Sequence, residues 1–167
     1  PIQKVYLPHS MGNFYAAATK ALGFTPNRHE GKVTGLAAYA KPTQEDLETL
    51  RRLAWAGEGS YFAPCVYGAY PKIQKFLNRV GKERFAATFQ QVLEETISEW
   101  VGFHVNSTGS RKIVLAGGVF ANVKLNQRIA EIDGVEEVFV FPGMADGGLG
   151  HGAAIGWDRD LGESEAK

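Results

Sequence analysis

The sequence predicts an α/β domain, and three observations predict it. Lys112-Ile113-Val114-Leu115-Ala116 is a compact apolar run, like a parallel strand buried on both faces. A helical pattern follows it, then a second apolar run from Glu137 to Phe141, then a second helical pattern, so the back half alternates strand and helix. Before it, roughly Lys82 to Asn106 repeats Phe85, Phe89, Val92, Leu93, Thr96, Ile97, Trp100, Val101 and His104 at the spacing of one broad helical stripe.

The elements follow in chain order. Ile2 to Leu7 reads as a short strand, broken by Pro8-His9-Ser10. Ser10 is a natural N-cap for a helix from Met11 to Leu22, with Phe14, Tyr15, Ala18 and Leu22 on its apolar side and Gly23 at its end. Pro26 to Pro42 reads as a glycine-rich loop. Thr43 caps a second helix with Glu45 and Asp46 in its first turn, where the helix dipole favours acids. Leu47, Leu50 and Leu53 line its buried side, and Gly57 and Gly59 close it. Ser60 to Tyr70 is aromatic and β-prone, which suggests a strand or hairpin. After the long helix and the Lys112 strand, Gly117-Gly118 turns the chain into a helix from Val119 to Ala130. The Glu137 strand and Pro142-Gly143-Met144-Ala145-Asp146-Gly147-Gly148 lead into a last helix ending near Trp157. We therefore place a single α/β lobe at residues 1–157 and a charged, frayed tail at residues 158–167.

Composition narrows the function. Eighteen basic residues, 18 Lys+Arg, balance 18 Asp+Glu in 167 residues, so the formal net charge is zero. A nucleic-acid coat or a polybasic membrane binder needs a positive surface, so neither fits. Cys65 is the one cysteine, which rules out an internal disulfide and a cysteine-based metal site. A cytoplasmic location fits that usage. No apolar run reaches the roughly 18 residues of a membrane span, and Pro1-Ile2-Gln3-Lys4 carries no signal core. Position 1 is not methionine, so the segment is expected to come from a longer chain.

The twenty glycines cluster, and two clusters fall at the carboxyl ends of predicted strands, where open α/β sheets bind ligands. Gly117 and Gly118 would let a ligand approach bare backbone at a helix N-terminus, which suits phosphate, and Asn122 is within reach of the same ligand. The bland alternative is a plain strand-to-helix turn. Asp146 is either the N-cap of the last helix or a hard oxygen ligand for a divalent cation. Neither the Rossmann nor the P-loop spacing is present. Glu94-Glu95 and Glu136-Glu137 read as solvated faces, His104 as a core histidine, and the three tryptophans as packing residues.

Three motifs together resemble the NodU/CmcH-type O-carbamoyltransferases. They are Met11-Gly12-Asn13-Phe14-Tyr15 through Tyr39 with Glu30-Gly31-Lys32-Val33-Thr34-Gly35-Leu36-Ala37-Ala38, then Leu115 through Asn122, then Pro142 through Ala154. The last two are shared with actin-like and sugar-kinase-like ATPases and with threonylcarbamoyl-adenosine synthases. The resemblance implies a ribonuclease-H-like lobe of the actin-like ATPase superfold, a mixed sheet flanked by helices, here the second lobe of a two-lobed transferase domain. It implies transfer of a carbamoyl group from a carbamoyl-adenylate, made from carbamoyl phosphate and ATP in a separate activating domain, to a small-molecule hydroxyl. It implies a divalent metal, often iron, with magnesium as the alternative, and Asp146 as this lobe's ligand. Gly117, Gly118 and Asn122 would line the nucleotide, and Glu30 and Lys32 would reach its ribose or phosphate. The family's pair of histidines spaced by four is not among His9, His29, His104 and His151. With half a cleft, the segment alone is expected to be inactive. The readings that compete are a sugar- or acyl-kinase-type lobe and a non-catalytic nucleotide-binding lobe.

Overall fold

The Ser10 hydroxyl accepts the Asn13 N–H at 3.2 Å and starts helix α1, Met11–Ala21. Gly23, at φ 82°, ends it in the left-handed conformation that glycine adopts without strain. The computed structural model describes residues 3–63 and 68–165. Seven α-helices and four short strands lie among them.

Two early readings change. Residues 3–7 form no strand; they enter a turn closed by His9 N–H to Tyr6 O at 2.9 Å, and no strand among the described residues pairs with them; Ile2 lies outside the described residues. Residues within the predicted loop from Pro26 to Pro42 form helix α2, Glu30–Ala37. Gly31 and Gly35 disfavour a helix locally, but Val33 is fully buried and α2 packs along α5. Tertiary burial outweighs local propensity here.

Helix α3, Gln44–Arg51, carries a complete capping box: Asp46 N–H donates to Thr43 Oγ1 at 3.3 Å, and Thr43 N–H to Asp46 Oδ2 at 3.1 Å. Asp46 is 1% exposed and also pairs with Arg84 at 2.9 Å and Arg79 at 3.4 Å. The helix ends at Arg51, not at the glycines beyond. Gly57 closes strand β1, Trp55–Gly57, and Gly59 sits in a two-residue hairpin turn to β2, Ser60–Phe62. That turn needs positive φ at both positions, 52° at Glu58 and 72° at Gly59. A Cβ on Gly59 would lie 2.4 Å from the Phe103 ring. The predicted β segment from Ser60 to Tyr70 therefore covers β2; residues 64–67 lie outside the described residues, and Tyr70 begins helix α4, Tyr70–Val80.

Helix α5, Lys82–Thr108, is the axis of the core. Phe85 and Phe89 are fully buried on it, with ring centroids 4.7 Å apart, and Phe14 of α1 lies 4.7 Å from Phe89. Helices α1 to α4 and α6 pack around this axis. His104 is half-buried at its edge, where Nε2 lies 2.9 Å from the Gly59 carbonyl oxygen.

Strand β3, Lys112–Leu115, pairs in parallel with β4, Glu137–Val140, in the register Lys112↔Glu137 to Leu115↔Val140. The run is not buried on both faces. Ile113 and Leu115 face the helices, whereas Val114 is 71% exposed beside Phe139. Glu136 and Glu137 pair with Arg111 and Lys112 on that surface. After β3 comes a 3-10 turn, Gly118–Ala121, so helix α6 starts at Val123 and runs to Ala130. Its cap is Asn122, whose Oδ1 accepts Leu125 N–H at 3.0 Å. A second 3-10 turn, Asp146–Gly148, leads into α7, Leu149–Glu165, which continues past Trp157 through most of the predicted tail. Trp157 is exposed, not packed. No helix among the described residues is long and apolar enough to cross a membrane.

The Asp46 junction predicts a graded stability series. Asp46→Ala removes a buried carboxylate and leaves two guanidinium groups and a cap without it, at a cost of about 2–4 kcal/mol. Thr43→Ala removes the cap alone and costs about 1 kcal/mol. Urea unfolding of the two variants checks the order; equal losses would mean that the ion pairs contribute nothing.

Candidate functional site

Segments far apart in sequence meet at one cleft of about 480 Å³. Helix α1 supplies Gly12 and Tyr15, the turn before α2 supplies Asn27 and Arg28, and α2 supplies Glu30 and Thr34. The opposite wall is Gly118, Val119, Ala121 and Asn122, and Ala145 with Asp146 closes the end. The two glycine turns are joined directly, because Gly117 N–H donates to Met144 O at 2.6 Å.

A side-chain network forms the floor. Asn122 Nδ2 donates to Gln90 Oε1 at 2.8 Å, and Gln90 Nε2 donates back to Asn122 Oδ1 at 3.1 Å. Tyr15 Oη donates to Gln90 Oε1 and lies 2.9 Å from Thr34 Oγ1. Gln90 Nε2 also reaches Glu94 Oε1 at 2.7 Å, and Glu94 pairs with Arg128 at 3.1 Å. Buried Tyr15 and Gln90 are thereby satisfied, as buried polar groups must be. Burial pushes the Tyr15 phenol far above its ordinary value of 10.0, with the Thr34 hydrogen bond opposing only part of the shift.

The sequence-predicted site residues divide. Glu30, Gly118, Asn122 and Asp146 line one cleft; Gly117 stands just behind it, at φ 116°, with its N–H engaged by Met144. Lys32 lies outside the lining, with Nζ 5.2 Å from the centre of the Phe24 ring. Glu30 Oε1 accepts Asn27 N–H at 2.6 Å and so holds the turn in which Asn27 has φ 63°. Asn122 uses its amide within the floor network and as the α6 cap. Asp146 is exposed and is the first residue of the 3-10 turn, with Ala145 at the cap position and α7 starting only at Leu149, so it does not stand as an N-cap. What fixes its position is the loop: a Cβ on Gly148 would fall 2.0 Å from Gly143 O, so only glycine permits that close approach. One carboxylate is a suitable hard ligand but not a complete site, and among the described residues no group of three His, Cys, Asp or Glu side chains converges.

Tyr15, Thr34 and Gln90 escaped the sequence reading. Gln90 shares one helical line with Ala86, Leu93 and Ile97, all buried, and a polar residue on an apolar line was the available signal.

The phenol gives a pH prediction. The folded protein keeps the Tyr15 proton while the unfolded chain releases it above about pH 10. Stability is complete below that pH and falls above it, by at most about 1.4 kcal/mol per pH unit for this one group. Tyr15→Phe costs about 1–2 kcal/mol at neutral pH and removes this component of the alkaline decline. Urea unfolding of both proteins between about pH 9 and 11 checks it; an unchanged slope in the variant contradicts it.

Residues 1–155 match the family described as Carbamoyltransferase N-terminus. The chain is 36% identical over 170 residues to the uncharacterized protein MJ1058 of Methanocaldococcus jannaschii, covering 97% of this chain and 28% of that protein. It is 27% identical over 162 residues to the nodulation protein NolNO of Sinorhizobium fredii, covering 93% and 24%. Nodulation protein NolO of Bradyrhizobium diazoefficiens is also 27% identical, over 161 residues, covering 92% and 29%. The chain thus spans less than a third of the length of these curated relatives. With nearly its whole length inside the match, the chain belongs to the carbamoyltransferase family, in the segment described as its N-terminus.

Proposed function

We propose that this segment is one ribonuclease-H-like lobe of an actin-like transferase domain, and that its cleft carries a carbamoyl group from a carbamoyl-adenylate to the hydroxyl of a small molecule. The observation that supports this reading is the meeting of all three family-like motifs at one cleft: Glu30 from the first, Gly118 and Asn122 from the second, Asp146 from the third. The cleft volume is in the range of small-molecule sites. In this reading ATP and carbamoyl phosphate are consumed in an activating domain of the same polypeptide, and the second wall of the cleft comes from the remaining lobe.

The residues have distinct tasks. Gly118 and Val119 begin a 3-10 turn, where backbone N–H groups lack partners within the turn, and they face the cleft. They bind the phosphate of the adenylate. A Cβ on Gly118 would meet nothing within 4 Å, so the backbone there is open to the cleft it lines. Gly117 acts behind the contact surface, tying this turn to the Asp146 loop, and Asn122 acts at it, tying the turn to the cleft floor. Glu30 sets the Asn27 turn at the ribose end, and Lys32 neutralises charge from outside the lining. Asp146 supplies one carboxylate ligand to a divalent metal, iron in the family-based expectation, with the others coming from the opposite lobe. When bound, such an ion stabilises negative charge that builds on the carbonyl oxygen and the leaving phosphate.

Asp146→Asn in the natural-length protein tests the reading. The side chain is exposed and does not stand at the cap position, so stability should stay within about 0.5 kcal/mol. Bound metal and carbamoyl transfer should both fall, the latter by about 100-fold or more, in the range seen when one charge-stabilising group is lost. Full metal content and full activity in a folded variant would refute the assignment.

A further inference from the structure

Among the described residues, three charged side chains line the cleft: the carboxylates of Glu30 and Asp146 and the guanidinium of Arg28. Arg28 is exposed. Arg51, Arg79, Arg84, Arg111 and Arg128 each pair with a carboxylate. Arg28 and Arg52 pair with none among the described residues, and of these two only Arg28 lines the cleft. Its backbone, by contrast, is clamped on both sides. Thr25 N–H donates to His29 Nδ1 at 3.2 Å, His29 N–H donates to Thr25 O at 3.0 Å, and Asn27 N–H donates to Glu30 Oε1 at 2.6 Å. These bonds keep Asn27 at φ 63°, a left-handed conformation that asparagine tolerates better than most residues. The turn is set before a ligand arrives, and the charge it carries is left without a counter-charge.

We infer that Arg28 makes the cleft select a nucleotide over the neutral nucleoside, its guanidinium binding the phosphate from the wall opposite Gly118 and Val119. The inference rests on the nucleotide reading above and adds to it the side chain that recognises the charge. An anion entering the cleft meets two carboxylates, and their repulsion grows as water is displaced. A metal at Asp146 offsets one of them and leaves Glu30. The N–H groups of the Gly118 turn carry only partial charge. One full positive charge on the lining balances Glu30, and Arg28 supplies it. Lys32 does not, because its ammonium lies over the Phe24 ring and outside the lining. The planar fork of a guanidinium also fits two phosphate oxygens at once, which an ammonium cannot do. The preset turn spares the ligand the cost of ordering it.

Hydrogen exchange of residues 117–122 in the natural-length protein, titrated with AMP and with adenosine, tests the inference. AMP is the adenylate without its carbamoyl group, and this peptide reads the cleft apart from any other nucleotide site in the polypeptide. Arg28→Gln should raise the AMP concentration at half-protection by about 10- to 100-fold, the range for a charged hydrogen bond. The adenosine midpoint should move by less than about threefold, as for a surface substitution. Arg28→Lys, which keeps the charge and loses the fork, should fall between wild type and Arg28→Gln. An unchanged AMP midpoint in Arg28→Gln overturns the inference. Equal shifts for AMP and adenosine overturn it too, because the side chain then serves the nucleoside or the turn and not the phosphate. A wild-type protein that neither AMP nor adenosine protects overturns the nucleotide reading itself, and this inference with it.

Discussion

The paired amides of Gln90 and Asn122 are the constraint on which the cleft depends. Gln90 belongs to the buried axis helix, and Asn122 is the cap that starts α6. Their reciprocal hydrogen bonds tie the turn after β3 to the core and satisfy the buried Gln90 amide. Tyr15 and Thr34 bring α1 and α2 to the same point. Four elements from distant parts of the chain thus share one small network, and the cleft opens above it. A buried network of this kind fixes geometry, because a shifted helix would strand several polar groups at once.

The second constraint is backbone proximity. Gly117 donates to Met144, and Gly143 and Gly148 touch where no side chain fits. These contacts hold the Asp146 loop against the turn at Gly118, although α7 beyond it shows Leu149, Ile155 and Trp157 to solvent. The carboxylate is therefore placed by glycine geometry and not by hydrogen bonds of its own. That arrangement leaves its oxygens available to a ligand.

Much of this was legible in the residues, and the gaps have physical causes. The caps at Ser10 and Thr43, the long stripe of α5 and the strands at Lys112 and Glu137 are local signals, and each appears where the local chemistry puts it. Helix α2 was hidden because its glycines argue for a loop while the burial of Val33, a tertiary effect, decides for a helix. The start of α6 moved from Val119 to Val123 because the Asn122 side chain captures the Leu125 N–H. For the cleft, motif spacing brought Glu30, Gly118, Asn122 and Asp146 into view, but the floor beneath them was not readable. Tyr15 and Gln90 look like core positions until the fold shows that their polar atoms meet.

The central claim is that three separated motifs form one nucleotide-facing surface. Hydrogen-exchange mass spectrometry of the natural-length protein, with and without ATP and carbamoyl phosphate, tests it most directly. The account predicts that peptides spanning residues 27–34, 117–122 and 143–148 slow together on ligand addition, while the groove beside Lys41 and Lys124 stays unchanged. Protection at that groove, with none at the three motifs, would contradict it.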